Sequence, residues 1–390
     1  MKSNLELLGN PQYPAMSYSG HRNSERTDAL SPSVAELKED MRILAAMGIK
    51  LIRTYNTQDY PQTKRMLAAI RALKEEDPGF EMVVMLGVWI QCVNAFEEGT
   101  DHTTEDAAWN QREIETAIQM VNEYPDIIKI IAVGNEAMVD WQAHFVPAKV
   151  ILKWVDVLGA ARAEGRIPAG TLLTTSDNWA ALGGEARYRN DDLAELMRRM
   201  DFVSLHTYAF HDTYYNPALQ WGPLPEEENL TAAQQITNSV ARCIQLQKDQ
   251  YAAVEEYLQG LGVEKEIHIG ETGWATLDNA HYGNDGTAAA SEFTAKVFYD
   301  ALMEWTTAEN ITCFYFQIFD EPWKSKGTAG SEGHFGLITV DGQVKYPLWQ
   351  RVDAGVFDGL SRGGHALMKS NAGEVEELME NLKPPKILKH

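Results

Sequence analysis

Cysteine is scarce in this chain: Cys92, Cys243 and Cys313 lie far apart among 390 residues. An odd number without close spacing suits neither a disulfide framework nor a zinc site. Two of the three sit in or beside apolar runs, so buried reduced thiols are favoured, one disulfide pair being the alternative. Long hydrophobic runs are missing too. No stretch approaches the roughly 18 apolar residues that cross a bilayer, and the opening MKSNLELLGNPQYP lacks the apolar core of a signal peptide. As written, the sequence reads as soluble and cytoplasmic; a periplasmic or secreted location follows if a signal has been trimmed. No feature specifies an oligomeric state.

Positive charge is the third shortage. Lys and Arg number 34 against 56 Asp and Glu, a formal net charge of −22. Such a field repels phosphate, which argues against nucleic acid or an anionic membrane as partner. A neutral polysaccharide meets no such barrier, although acidity also simply serves solubility. No Gly-rich phosphate turn follows the first strand, and His206, His211, His268 and His281 show no HxH or HExxH spacing. No cofactor and no metal are therefore expected.

Hydrophobic residues make up 44% and charged residues 23%, enough for a sizeable core. Short apolar, β-branched runs alternate with helical periodicity in eight βα units. The strands are expected at 15–20 (AMSYSG), 50–56 (KLIRTYN), 81–89 (EMVVMLGVW), 127–136 (IIKIIAVGNE), 172–178 (LLTTSDN), 201–208 (DFVSLHTY), 266–274 (EIHIGETGW) and 311–320 (ITCFYFQIFD). Amphipathic stretches such as VAELKEDMRILAAMG and NQREIETAIQMVNEY supply outer helices. The fold class is α/β, a single (β/α)8 TIM barrel with elongated βα loops, spanning 1–364; a C-terminal helix and frayed tail follow at 365–390. A doubly wound open sheet is the competing architecture.

Every run begins apolar and ends polar or aromatic, which gathers those groups at one barrel mouth. The longest irregular stretches, 90–110, 209–230 and 321–339, read as cleft-shaping loops. Their length suggests partial closure and action near chain ends or on short oligosaccharides. Glu136 and Glu271 end or nearly end strands four and seven, so both face the mouth. Cleaving a glycosidic bond with retention needs a proton-donating carboxylic acid and an attacking carboxylate about 5–5.5 Å apart. Asn135 stands ready to bind the hydroxyl next to the anomeric carbon, and Gly134 and Gly270 permit close approach of substrate or backbone. For either Glu taken alone, a structural pairing with Lys or Arg is the plainer explanation; two on the appropriate strands favour catalysis.

AVGNEAM, GETGW, FDEPWK, EGHFGL, RTYN, HTYAF and SYSGHR together resemble segments of glycoside hydrolase family 17, the β-1,3-glucanases and glucanosyltransferases, from Ser17 to about Tyr346. The resemblance implies Glu136 as acid/base, Glu271 as nucleophile, Glu321 and Lys324 as organisers of the site, Glu332 at the closing segment, and Tyr55 and Tyr208 as lining residues. Ala275 and Ala209 replace prolines common in the family, which touches fine specificity more than the reaction.

Trp89, Trp141, Trp179, Trp274 and Trp323 follow strands, where a glucan would pass; His206 would hydrogen-bond a sugar. Trp154, Trp305 and Trp349 read as packing residues. The aromatic run 208–221 is either a sugar platform or a satellite core. Lys324 would help ionise Glu271, while a less solvated Glu136 keeps its proton. The expected partner is a β-glucan polysaccharide or oligosaccharide and the expected activity retaining β-1,3-glucan hydrolysis. A glucanosyltransferase using the same pair, or a non-catalytic glucan-binding barrel, are the alternatives.

Overall fold

A computed structural model describes residues 4–325 and 330–387. Part of the 321–339 loop and the last three residues of the tail lie outside the described residues. Eight parallel strands close into a barrel: β1 (Ala15–Ser17), β2 (Leu51–Arg53), β3 (Val83–Val88), β4 (Ile128–Asn135), β5 (Leu172–Asn178), β6 (Val203–His206), β7 (Ile267–Thr272) and β8 (Cys313–Tyr315). Strand β8 closes onto β1 through Met16 opposite Tyr315. The sequence places all eight, but most end earlier than expected, because the mouth residues leave the ladder to aim side chains inward.

Alternation along each strand sorts the residues into two faces. Outward residues such as Ile52, Val84, Ile131, Val133 and Leu205 pack under the helices. These helices are α1 (Val34–Ala46), α2 (Gln62–Glu76), α3 (Ala107–Glu123), α4 (Ala148–Ala163), α5 (Asp191–Arg199), α7 (Ala232–Gly260) and α8 (Glu292–Ala308), with a short α6 (Ala209–Tyr215) after β6. Ser33 and Glu36 form a capping box that starts α1, and Thr231 with Gln234 does the same for α7.

Inward residues form two storeys. The lower is apolar: Ala15, Leu51, Val83, Met85, Ile130, Ala132, Leu172, Phe202 and Phe314 pack together, with Leu8 plugging the bottom. Two or four residues further along their strands, Ser17, Arg53, Ser176, Ser204 and His206 are equally buried but polar. The floor supplies the transfer free energy; the upper storey supplies chemistry.

Two loops differ from expectation. The 90–110 stretch contains an antiparallel hairpin, Cys92–Val93 with Asp101–Glu105, whose β-branched DHTTE run pairs readily. The aromatic run after β6 forms α6, whose Ala209, Phe210 and Thr213 are buried. Phe210 and Trp221 join Trp274 in a small core, while Tyr215 stays 66% exposed, so most of this run packs rather than presents a platform. Trp154, Trp305 and Trp349 are buried, as are all three cysteines, which are free thiols. In the tail, Ser370 Oγ donates to Glu292 Oε2 (2.6 Å) and the Lys386 amide to the Thr287 carbonyl (3.0 Å), which ties the chain to the barrel both before and after Val375–Glu380.

The floor's contribution is testable. Phe202→Ala should cost about 3–5 kcal/mol in urea unfolding through lost burial and a residual cavity. A cost under about 1 kcal/mol would show that the storey is not closely packed.

Candidate active site

In a regular strand, consecutive side chains face opposite sides. Asn135 and Glu136 are consecutive, yet both serve the barrel interior. The parity breaks at Gly134, whose φ is +82° and where a Cβ would strike Ile151 Cδ1 of α4 at 2.9 Å. Glycine is required there for backbone reasons, not for the approach of substrate. Glu136 is itself left-handed, at φ +47°, and its amide donates to the Ser176 carbonyl on β5 (3.0 Å). Such a conformation costs a non-glycine residue about 1–3 kcal/mol. The turn directs the carboxylate back over the mouth.

Glu271 lies on β7, one residue past Gly270. A Cβ at Gly270 would meet Ser204 Oγ at 2.1 Å and Ser176 Oγ at 2.7 Å, so close approach is needed here, by neighbouring strands. Arg53 Nη1 donates to Glu271 Oε2 (2.6 Å) and to the Gly270 carbonyl (3.0 Å), and Tyr208 Oη donates to Glu271 Oε1 (2.6 Å). The second arm of Arg53 donates to Asn135 Oδ1. One guanidinium therefore binds the carboxylate on β7 to the side chain that precedes Glu136 on β4. Burial alone would raise the Glu271 pKa. The His206 imidazole, the Arg53 guanidinium, the Tyr208 hydroxyl and Lys324 reverse that and hold the carboxylate well below its usual range.

Glu136 has softer partners. His206 Nδ1 lies 3.1 Å from its Oε1, and Gln142 Nε2 donates to Oε2 (2.9 Å). A carboxylate only accepts, so Nδ1 carries the proton when Glu136 is ionised. The other ring nitrogen meets Ser176 Oγ at 2.7 Å, and Ser176 Oγ meets Ser204 Oγ at 2.8 Å. His206 is fully buried by these contacts, so it orients Glu136 and does not reach a sugar. Glu136 is also the more exposed carboxylate, at 17% of its side chain against 10% for Glu271. The expected difference in solvation is thus reversed, and charged neighbours distinguish the pair instead.

Around the carboxylates, the half-buried Tyr55 ring covers Arg53 at 4.8 Å, and Tyr208 meets Phe335 edge-on at 5.9 Å. Lys324 Nζ sits 4.3 Å above the Phe316 ring. Glu321 is buried and saturated: Ser19, Gln317, Trp323 Nε1 (3.1 Å) and Lys324 Nζ (2.7 Å) all reach its oxygens. It therefore organises Trp323 and Lys324 and has no lone pair aimed at a ligand. Trp323 carries the Arg26 guanidinium on its ring at 3.6 Å. Trp179, half-buried, donates its amide to the His206 carbonyl (3.0 Å). Trp274 is not at the mouth: its indole is fully buried, donates to the Ala289 carbonyl (2.9 Å) and packs on Phe298. Its position past the strand end turns it outward under α8. Trp141 is 57% exposed and Glu332 meets His211 at 3.6 Å.

Sequence reasoning missed Arg53, Ser176 and Gln142. The signal for Arg53 was present: an arginine two positions after Leu51 shares the inward face of an otherwise apolar strand. Removing it leaves a buried carboxylate unpaired, so Arg53→Met should cost about 3–5 kcal/mol at neutral pH. A depressed pKa contributes stability above the unfolded value near 4.3, and that contribution is lost as pH falls towards the folded one. The gap between wild type and Arg53→Met, measured by urea unfolding, should therefore narrow as pH drops below about 4.3. A gap independent of pH would mean that Glu271 is not what Arg53 stabilises.

A family model, the BtgE/BtgC glycoside hydrolase domain, matches residues 15–336. The crystal structure of an endo-laminarinase from Formosa Hel1_33_131 superposes with a TM-score of 0.96 at 44% identity, covering 100% of this chain and 99% of that one. A glucan 1,3-beta-glucosidase from Arthroderma benhamiae is 24% identical over 333 residues, 83% of this chain and 87% of the relative. A glycoside hydrolase family 17 beta-1,3-glucanosyltransferase from Rhizomucor miehei shares the fold, with a TM-score of 0.54 at 18% identity over 86% of this chain and 96% of that one. With the family match running from the first barrel strand past the last, this chain belongs to the BtgE/BtgC glycoside hydrolase domain family.

Proposed function

We propose that the protein is a retaining glycoside hydrolase of family 17 that cleaves β-1,3-glucan within the chain. The observation that carries this reading is the Arg53 bridge, which ties Glu271 to Asn135, the residue preceding Glu136. Glu271, kept ionised, attacks the anomeric carbon while Glu136 gives its proton to the departing glycosidic oxygen. The C–O bond to the leaving chain breaks and a glycosyl ester forms on Glu271. Glu136, now a carboxylate, takes a proton from water, which attacks the same carbon and releases Glu271 with configuration retained. Asn135, oriented by Arg53, offers its amide N–H to the neighbouring sugar hydroxyl. Tyr55, Tyr208, Trp179, Trp323 and Lys324 line the path.

Action within the chain, rather than near its ends as loop length alone suggests, is supported by the 44% likeness to an endo-laminarinase. Proton NMR of freshly cleaved laminarin should show β-anomeric reducing ends first, mutarotating later to the α form. First-formed α-anomer would overturn the mechanism, and release of glucose alone would overturn internal cleavage. Glu136→Gln should lower kcat by about 10²–10⁴ on laminarin, and Glu271→Gln should abolish turnover while leaving laminarin binding intact. Unchanged turnover in either would remove that residue from its role. Products longer than the starting laminari-oligosaccharide at high concentration would establish transfer over hydrolysis.

A further inference from the structure

Asp177 is fully buried on β5, with Ser176 before it and Asn178 after it. Ser176 faces the interior, so alternation turns Asp177 outward, away from any substrate. Its carboxylate nonetheless reaches the segment that carries Glu136. Oδ2 accepts the Met138 amide N–H (2.8 Å), and Oδ1 accepts the Asn178 amide (2.8 Å). Met138, whose amide it holds, and its neighbours Ala137 and Val139 are themselves buried, and the Ala137 carbonyl accepts the Val146 amide (2.7 Å).

The turn needs holding. Gly134 at φ +82° and Glu136 at φ +47° bracket Asn135, and a left-handed Glu persists only where its surroundings over-determine it. On one side of Glu136 its own amide is fixed to Ser176; on the other, the amide two residues on is fixed to Asp177. Both anchors lie on β5, in adjacent positions. Burial pushes the Asp177 carboxyl up to about 8, and the Glu136 charge pushes the same way, which puts the two carboxyls in electrostatic reach of each other.

We infer that Asp177 is a positioning residue for proton transfer: by fixing the Met138 amide it locks the left-handed turn that aims Glu136 at the leaving oxygen. This rests on the reading of Glu136 as the acid. Substrates that need no proton to depart should then be indifferent to Asp177.

The test compares kcat/KM of Asp177→Asn and Asp177→Ala on a laminari-oligosaccharide and on 2,4-dinitrophenyl β-laminaribioside, whose phenolate leaves unassisted. The ratio of the two values on one preparation is independent of how much of the variant has folded. Misplacing a catalytic group by about 1 Å can cost 10²-fold, so the ratio should shift against the oligosaccharide by at least about tenfold. Equal losses on both substrates, or no loss on either, would overturn the proposal. Glu136→Ala on the same pair separates the two readings. If it too shows no skew, the acid assignment fails; if it is skewed and the Asp177 variants are not, only the role of Asp177 falls.

Discussion

A guanidinium 1% exposed inside a barrel is expensive unless every charge around it is answered, and the arrangement of Arg53 shows how narrow the solution is. Its fork must find a carboxylate on β7 and an amide oxygen on β4 at the same time. Lysine could not do this, because a single ammonium has no pair of arms held in one plane. The requirement reaches down the barrel. Arg53 stands two residues above Leu51, and a slip of one position in β2 would trade this inward pair for Ile52 and Thr54. The apolar floor that fixes the registers is thus a condition for the site, and the site's desolvation is what gives the ion pair its strength.

From that pairing follows the difference between the two glutamates. Both stand at one mouth, so solvation alone cannot separate them, and the more exposed of the two is Glu136. What separates them is the kind of partner. Glu271 faces a permanent cation and a phenol, both of which favour its ionised form. Glu136 faces an imidazole and a carboxamide, neither of them a permanent cation, which suits the proposed role of giving a proton up and taking it back. A cation as close to Glu136 as Arg53 is to Glu271 would hold its proton off throughout.

The eight strands were legible because periodicity survives in a single sequence: outward positions are mostly apolar, Asp177 on β5 being an exception, and helical spacing fills the gaps. Glu136 and Glu271 were legible because a carboxylate at the end of a long apolar run stands out. Contacts across strands were not. Nothing along KLIRTYN says that its arginine meets a glutamate 218 positions away, and nothing in GETGW says that the indole turns outward beneath α8. Glu321 was expected as an organiser of the site, but its partners were not legible: four donors from its own loop and from β1's exit consume its oxygens. Residue type and strand position locate a group near a mouth; only the partners decide whether it faces the ligand or holds something that does.

The departures from regular geometry have a common origin. A strand offers one inward side chain every two residues, too sparse for the proposed mechanism, which needs an amide and an acid side by side on β4. Strand β4 meets the demand with a glycine that inverts parity and a glutamate that accepts a left-handed backbone, and its pairing to β5 shifts between Ala132 and Asn135. The pairing of β6 to β7 shifts in the same way just before His206 and Glu271. Register also shifts lower down, at Met85 on β3 and around Phe314 on β8, but the left-handed residues Gly134 and Glu136 belong to the upper storey. Strain is tolerated where density of function is required, and it is tolerated because the storey beneath, apolar and closely packed, leaves the turn no cheaper place to relax.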